Sequence, residues 1–293
     1  MRGDKSNVAL PGKSHKAVFS SAQVTSIDNT IIGYRQTGSG PGLIVVHGGG
    51  RASHHYRQLA EALADTYTVY LPDRRGRGLS GPAGDNYSIN RECQDLATLL
   101  NKTGAQFVFG HSSGGLIALE AALELPVRKL AVYEPAVSIN GSIPTAWLPA
   151  FENALAKHKP IAAMVVFLKA LRLSPASWLP SWVLTPLLYL LLRGPEGREM
   201  IELLPTVTRD MALVKYLDSG LERYKDIVAE TLLLGGDRSP AYLRDALSAL
   251  SKTLPRAKRI ELPGLGHNAP DNDAPERIAS ELRQFFEGNL QGS

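Results

Sequence analysis

The chain reads QFVFGHSSGGLIALEAA over residues 106–122. An apolar run typical of a buried strand leads directly into the motif G-x-S-x-G, and a run with helical spacing follows it. A serine on so sharp a strand-to-helix turn occupies a strained backbone conformation, and the flanking glycines let neighbouring backbone pass close to it. The turn lifts the Ser112 hydroxyl above the sheet, so Ser112 is the predicted nucleophile. Ser113 lies one residue past the apex, where its backbone N–H can stabilise negative charge at the helix start.

Strand and helix patterns alternate along the chain on both sides of this turn. Continuous apolar runs, or alternating apolar and polar residues, indicate strands, and stretches with helical spacing separate most of them. The predicted strands are AVFSSAQVTSID, TIIGYRQT, GLIVVHG, YTVYLPD, QFVFGHS, KLAVYEP, ETLLLGG and KRIELPG. Such alternation is typical of an α/β fold, in which helices cover both faces of a mostly parallel sheet.

The alternation stops between residues 137 and 225, which look mostly helical and contain several prolines. We therefore predict a discontinuous core, residues 17–136 and 226–290, with residues 137–225 inserted as a helical cap over one end of the sheet. Residues 1–16 are polar and without periodicity, so they are expected to form a flexible extension. The large apolar side chains of the cap are expected mostly to pack the cap itself and to leave an apolar pocket beneath it. They are Trp147, Phe151, Met164, Phe167, Trp178, Trp182 and Tyr189.

The composition is that of an ordinary globular protein, with 44% hydrophobic and 20% charged residues among 293. The formal net charge of +4 is spread along the chain, which indicates a solvated surface and no nucleic-acid partner. The single cysteine, Cys93, excludes an intramolecular disulfide. The first sixteen residues lack the apolar segment of a signal peptide, so a cytoplasmic protein is expected. The sequence predicts no particular oligomeric state.

Residues 173–192 carry no charge and are rich in Leu and Trp. A membrane-spanning helix needs about 20 predominantly apolar residues in an unbroken run. Pro175, Pro180 and Pro186 interrupt this one, and serines dilute it. We therefore predict short helices around an apolar pocket and no stable membrane insertion, while loose contact with a membrane surface stays open.

Two further motifs accompany the GHSSG turn. HGGG follows the third predicted strand at residues 47–50, and DRRGRGLS follows the fourth at residues 73–80. With these motifs the chain resembles the α/β-hydrolase superfamily along most of its length. The resemblance implies an eight-stranded, mostly parallel sheet flanked by helices, and it explains the cluster of arginines as part of a structural turn. It also implies an oxyanion hole made by the backbone N–H groups of Gly49 and Ser113, with Gly50 as the alternative to Gly49.

The same resemblance places the general base on the loop after the last strand, where His267 lies in LPGLGHNAP. The triad acid has two candidates. Asp237 follows the seventh strand in TLLLGGDRSP, but the position that carries the acid in many relatives falls two residues later, on Ser239. Glu134 ends the sixth strand in AVYEP, where other members carry the acid, and a carboxylate at the tip of a buried strand needs a partner. Glu134 is therefore the predicted acid, and Asp237 is the alternative.

These residues predict a serine hydrolase that cleaves a small hydrophobic ester or lactone through an acyl-enzyme on Ser112. No cofactor is expected for this chemistry, and no metal site is expected, because the sequence contains no evident cluster of metal ligands. Three alternatives use the same side chains. They are a C–C bond hydrolase, a lyase of the hydroxynitrile type, and a small-molecule receptor that retains a residual triad.

Overall fold

The computed structural model describes residues 17–288, so the flexible extension predicted for residues 1–16 lies outside the described residues. The strands are β1 (Ser20–Thr25), β2 (Ile31–Thr37), β3 (Gly42–Val46), β4 (Thr68–Pro72), β5 (Phe107–His111), β6 (Lys129–Tyr133), β7 (Glu230–Gly236) and β8 (Ala257–Leu262). Within the described span they form one eight-stranded sheet in the order β1-β2-β4-β3-β5-β6-β7-β8. The pairs β1–β2 and β2–β4 are antiparallel, and every other pair is parallel. The predicted fold class is confirmed.

Helices cover both faces of this sheet. They are α1 (Arg57–Leu63), α2 (Ile89–Thr103), α3 (Ser113–Ala122), α4 (Leu148–Ala156), α5 (Pro160–Leu171), α6 (Ser181–Leu191), α7 (Pro195–Tyr216), α8 (Ala241–Thr253) and α9 (Pro275–Glu287). Leu43 and Val45 of β3 belong to the core cluster that contains α1 and α9, whereas Ile44 and Val46 belong to the cluster that contains α2, α3 and α8. Since successive side chains of a strand point to opposite faces, a strand covered on both sides must be apolar throughout.

The arginines of residues 74–77 are structural, as their motif implies. Arg74 is buried and donates to Glu92 at 2.8 Å and to Asp210 at 2.6 Å. Arg77 is buried as well and donates to Asp210 at 2.7 Å. Arg75 is paired with Asp95 at 2.6 Å and with Asp28 at 2.9 Å. Because each guanidinium is paired with a carboxylate, the cluster does not form a binding surface for a polyanion.

Helices α4 to α7 lie between β6 and β7 in the chain, in the segment for which the sequence predicts a cap. Aromatic side chains pack this region internally. The ring centroid of Trp147 lies 5.3 Å from that of Phe151 and 5.8 Å from that of Phe167. These three residues therefore pack within the helical insertion.

Three large aromatic side chains of the insertion face water instead of packing within it. Trp178 is 70% exposed, Trp182 79% and Tyr189 58%. Helix α6 turns its leucines at 184 and 188 toward the protein, so the side chains on its other face point outward. Among residues 17–288, no helix combines the length and the apolar content that crossing a bilayer requires.

Candidate active site

Ser112 lies at the turn between β5 and α3, in a backbone conformation that L residues rarely adopt. Its φ is 54° and its ψ is −122°. Strain of this kind costs about 1–3 kcal/mol and persists only where the surroundings impose it. A Cβ on Gly110 would lie 2.5 Å from the carbonyl oxygen of Gly114, and a Cβ on Gly114 would lie 2.3 Å from the carbonyl oxygen of Val46. The glycines of the motif are therefore required by close contacts between backbone segments.

His267 is held against Glu134, the acid that the sequence favours. Its Nδ1–H donates to Oε2 of Glu134 at 2.7 Å. The other carboxylate oxygen accepts the backbone N–H of Gly236 at 2.8 Å, and the Glu134 side chain is fully buried. Because a carboxylate only accepts hydrogen bonds, Nδ1 must carry the proton, and Nε2 is left free to accept another. His267 and Ser112 line the same cavity.

Asp237, the alternative acid, lies elsewhere. Its side chain is exposed, and its Oδ1 accepts the backbone N–H of Gly264 at 2.8 Å. This bond ties the end of β7 to the turn that follows β8. The structure therefore brings Glu134, and not Asp237, into contact with His267.

The predicted oxyanion donors line the cavity beside Ser112. Gly49, Gly50 and Ser113 all border it. Within the described residues, no hydrogen bond occupies the backbone N–H of Gly49 or Ser113. The hydroxyl of Ser113 accepts a hydrogen bond from Nη1 of Arg74 at 3.0 Å. The Ser113 side chain is therefore bound to the arginine, and only its backbone N–H is considered as a donor to an oxyanion. Two unpaired N–H groups beside Ser112 can stabilise an oxyanion.

Tyr56 and His111 support this loop, and sequence reasoning missed both. The hydroxyl of Tyr56 accepts the backbone N–H of Gly48 at 3.0 Å and lies 2.5 Å from Nδ1 of His111. Burial lowers the pKa of His111 to about 3, so its ring stays neutral next to the His267 ring, whose centroid is 4.8 Å away. Tyr56 lies in a segment with ordinary helical spacing, and nothing in its sequence distinguishes it from a core residue.

Asp210 of α7 was not predicted either, although it borders the cavity. A Cβ on Gly49 would lie 2.8 Å from its Oδ2, so this carboxylate packs directly against the HGGG loop. Burial would raise the pKa of Asp210, but the guanidinium groups of Arg74 and Arg77 outweigh that effect and hold the pKa below its usual value. One carboxylate of the insertion is thus tied to two arginines of the core.

A second ion pair lies at the same end of the cavity. Nε of Arg51 donates to Oδ2 of Asp271 at 2.5 Å. Burial would raise the pKa of Asp271, yet the neighbouring Arg51 cation outweighs it and lowers the pKa. Both residues line the cavity, so the charges they bring to it are already paired.

The cavity has a volume of about 270 Å³, and Arg51, His111, Ser112 and His267 contribute polar groups to its wall. The rest of its wall comes mainly from α5, α7 and the start of α8. These side chains include Met164, Phe167, Leu168, Leu171, Leu204, Val207, Met211, Val214 and Leu243. A small polar group placed at the Ser112 end would be followed by an apolar chamber.

One group of possible metal ligands lies close together among residues 17–288. The nitrogen and oxygen atoms of His54, His55 and Glu199 that could bind a metal lie within 4.8 Å of one another. His54 Nε2 and Glu199 Oε2 are 2.9 Å apart, so a hydrogen bond between the two side chains accounts for their proximity. None of the three borders the cavity.

Comparison with known proteins places this geometry in a family. A family model described as "Alpha/beta hydrolase family" matches residues 43–281. A solved structure of an alpha/beta hydrolase from Sphaerobacter thermophilus is 31% identical, with a TM-score of 0.77 over 90% of this chain and 100% of that one. The similarity extends through the sheet and the helical insertion, since almost the whole chain is aligned.

Two curated proteins are also similar. The 2-(acetamidomethylene)succinate hydrolase of Mesorhizobium japonicum is 25% identical over 268 residues, which cover 89% of this chain and 93% of that protein. The uncharacterized hydrolase YraK of Bacillus subtilis is 37% identical over 112 residues, or 36% of this chain. That second match spans 41% of YraK, which is less than half of its length.

Proposed function

The chain belongs to the alpha/beta hydrolase family, and from that premise we propose that it is a serine hydrolase of neutral carboxylic esters or lactones with an apolar acyl part. One observation carries the proposal. The strained Ser112 and His267 border one cavity, and His267 is held by Glu134 through a 2.7 Å hydrogen bond. A nucleophile, a base and an acid that orients the base are the parts that acyl transfer requires.

The first half-reaction forms an acyl-enzyme. Nε2 of His267 takes the proton of Ser112 while the serine oxygen attacks the carbonyl carbon of the substrate. The backbone N–H groups of Gly49 and Ser113 donate to the oxyanion of the tetrahedral intermediate. As the intermediate collapses, the C–O bond to the alcohol breaks and the alkoxide leaves with the proton held by His267.

The second half-reaction hydrolyses the acyl-enzyme. His267 takes a proton from water, and the resulting hydroxide attacks the ester carbon on Ser112. The carboxylic acid is released, and the proton returns to the serine oxygen. Glu134 keeps the imidazole in the Nδ1–H tautomer throughout and stabilises the imidazolium that forms twice in each cycle.

The charges around the cavity support a neutral substrate. Among the described residues that line it, Arg51 is the only arginine or lysine, and Asp271 already neutralises it. Asp210 is likewise paired with two arginines. The relative from Mesorhizobium is named for the hydrolysis of a succinate derivative, an anion that would need an unpaired cation. The apolar wall of this cavity instead favours an acyl chain without charge.

A panel of p-nitrophenyl esters and lactones with acyl chains of increasing length tests the proposal. We expect kcat/KM to rise about threefold to fourfold for each methylene group that becomes buried. The rise should stop once the chain fills the cavity, and the Ser112→Ala variant should hydrolyse none of the compounds. A folded wild-type protein that cleaves no ester or lactone would refute the proposal. A kcat/KM that does not change with acyl length would refute the proposal that the cavity binds an apolar acyl chain.

A further inference from the structure

The outer surface of the helical insertion carries large apolar side chains that face water. We call this surface the α6 face, and it consists of the exposed side chains Trp178, Trp182, Leu187, Tyr189, Leu190 and Leu191. Its two tryptophans are 70% and 79% exposed, and Leu190 and Leu191 are 64% and 63% exposed. Single exposed apolar residues are common on protein surfaces, but a group of this size on one short segment marks an interaction site.

The exposure follows from the sequence of α6. Trp182, Pro186, Tyr189 and Leu190 have the spacing i, i+4, i+7 and i+8, which places them on one side of a helix. Leucines on the opposite side pack inward, with Leu184 and Leu188 as the buried pair. A helix at a water-facing surface normally pairs one apolar side with a polar one, whereas α6 is apolar on both sides.

Basic side chains border the α6 face. The guanidinium carbon of Arg172 lies 4.8 Å from the ring centroid of Trp178, and that of Arg193 lies 4.8 Å from the ring centroid of Tyr189. Residues 173–195 contain no Asp or Glu, and the next acidic residue along the chain is Glu196. The charge carried by this face is therefore positive.

We propose that the α6 face docks on the surface of an anionic lipid bilayer. Trp and Tyr prefer the level of the lipid headgroups because their rings are apolar and their N–H or O–H groups are polar. Arg172 and Arg193 lie where they can contact lipid phosphates while Trp178 and Trp182 enter the headgroup layer. Apolar burial and attraction to anionic lipid then act together, as they do for helices that lie in the interface plane.

A second copy of this chain is a poorer occupant of the α6 face. In a twofold contact the same surface meets itself, so the arginines of both copies would enter one contact to which residues 173–195 bring no carboxylate. Like charges brought together at a desolvated contact are destabilising. An anionic bilayer matches both the apolar and the basic residues of the face.

The α6 face adjoins the cavity along the chain. Leu171, Leu173 and Ser174 border the cavity, and Trp178 follows Ser174 by four residues. If the proposed esterase function holds, docking would bring the cavity close to esters dissolved in the bilayer. Docking itself does not depend on that function and can be measured without turnover.

Co-sedimentation of the full-length Ser112→Ala protein with vesicles tests the docking. The vesicles contain phosphatidylcholine alone or phosphatidylcholine with phosphatidylglycerol. We expect binding to the mixed vesicles that is at least about tenfold stronger than binding to phosphatidylcholine alone. Trp178→Ser/Trp182→Ser and Arg172→Gln/Arg193→Gln should each weaken binding to the mixed vesicles at least about tenfold. Val228→Ser, which removes a side chain 76% exposed outside the α6 face, is the matched control and should bind like its parent.

Tryptophan fluorescence adds a readout that reports the site of contact. The chain has three tryptophans, and the third, Trp147, is only 8% exposed. Vesicles should shift the emission of the parent protein to shorter wavelength and leave that of the Trp178→Ser/Trp182→Ser variant unchanged.

Two results would overturn the docking proposal. One is equal affinity for both kinds of vesicle or no affinity for either. The other is a lipid-independent dimer that the Trp178→Ser/Trp182→Ser variant abolishes, since it would assign the face to a second copy. When Ser112 is retained, neither the Trp178→Ser/Trp182→Ser nor the Arg172→Gln/Arg193→Gln variant should change the rate at which a short soluble ester is hydrolysed. A protein with the intact α6 face that hydrolyses soluble esters but binds no vesicles would refute the docking proposal alone. One that binds the mixed vesicles but hydrolyses no ester would refute the proposed function alone.

Discussion

Glu134 and Asp237 both follow a parallel strand at the same edge of the sheet, yet they meet different partners. Glu134 accepts from His267 at 2.7 Å, whereas Asp237 accepts from the backbone of Gly264 at 2.8 Å. The backbone of Glu134 has a φ of 43°, a conformation that costs free energy for a non-glycine residue. The structure maintains that conformation at the residue that orients the imidazole.

Glu134→Gln should therefore lower kcat by about 10³-fold or more, because an amide can no longer enforce the Nδ1–H tautomer of His267. Asp237→Asn is the matched control and should change kcat less than about threefold, since the exposed side chain only ties two turns together. Steady-state kinetics on one ester give both values. Equal small losses in the two variants would contradict the assignment of Glu134.

The sequence allowed only part of this site to be predicted at the level of residues. Ser112 could be named from its strand–turn–helix motif, and His267 and Glu134 from the positions at which α/β-hydrolases carry the base and the acid. Tyr56, Asp210 and the Arg51–Asp271 pair could not, because their sequence neighbours look like ordinary helix or loop residues. Tertiary contacts alone bring them to the site, where Tyr56 supports the HGGG loop and the other three line the cavity.

The contact between the inserted helices and the core depends on charge as well as on apolar packing. The carboxylate of Asp210 in α7 accepts hydrogen bonds from Arg74 and Arg77, and both arginines are buried. Glu92 of α2 shares Arg74, so two carboxylates balance two guanidinium groups. Such a cluster stabilises the fold only while all of its members are present.

Asp210→Ala should lower the free energy of unfolding by about 3–5 kcal/mol, because it leaves Arg77 buried without its carboxylate partner. Glu202→Ala, at an exposed position of the same helix, is the control and should change that free energy by less than about 0.5 kcal/mol. Urea unfolding followed by circular dichroism measures both. A loss below about 1 kcal/mol for Asp210→Ala would show that the cluster does not hold α7 in place.

Prediction at the level of elements was most successful in the sheet. Strands β3, β5 and β6 are covered on both faces. Their sequences are therefore continuous apolar runs, which can be recognised as buried strands. The sequence pattern could not predict which side of α6 faces the protein. Apart from Ser181 and Thr185 its residues are apolar, so the pattern does not distinguish the buried side from the exposed one.

Stability of the whole molecule should depend on pH through its buried histidines. Burial lowers the pKa of His111 from 6.5 to about 3 and holds the pKa of His47 well below its usual value. Below pH 6.5 the unfolded chain therefore binds protons that the native protein does not, and stability falls as the pH falls. Each of the two histidines should contribute a slope of about 1.4 kcal/mol per pH unit between about pH 6 and pH 4.

Urea unfolding at several pH values between 4 and 7 measures this slope. His111→Asn removes one of the two groups, so its slope should be smaller by about 1.4 kcal/mol per pH unit. A wild-type protein whose stability is flat over that range would contradict the account, because it would mean that the buried rings accept protons in the native state.

The account of the molecule as a hydrolase requires one oxygen atom, that of Ser112, to be activated by His267. Intact-mass spectrometry after incubation with a fluorophosphonate, followed by peptide mapping, tests this requirement most directly. We predict a single adduct on Ser112, none on the Ser112→Ala variant, and much slower labelling of His267→Ala. A folded wild-type protein that stays unlabelled, or one that labels equally well after Ser112→Ala, would contradict it.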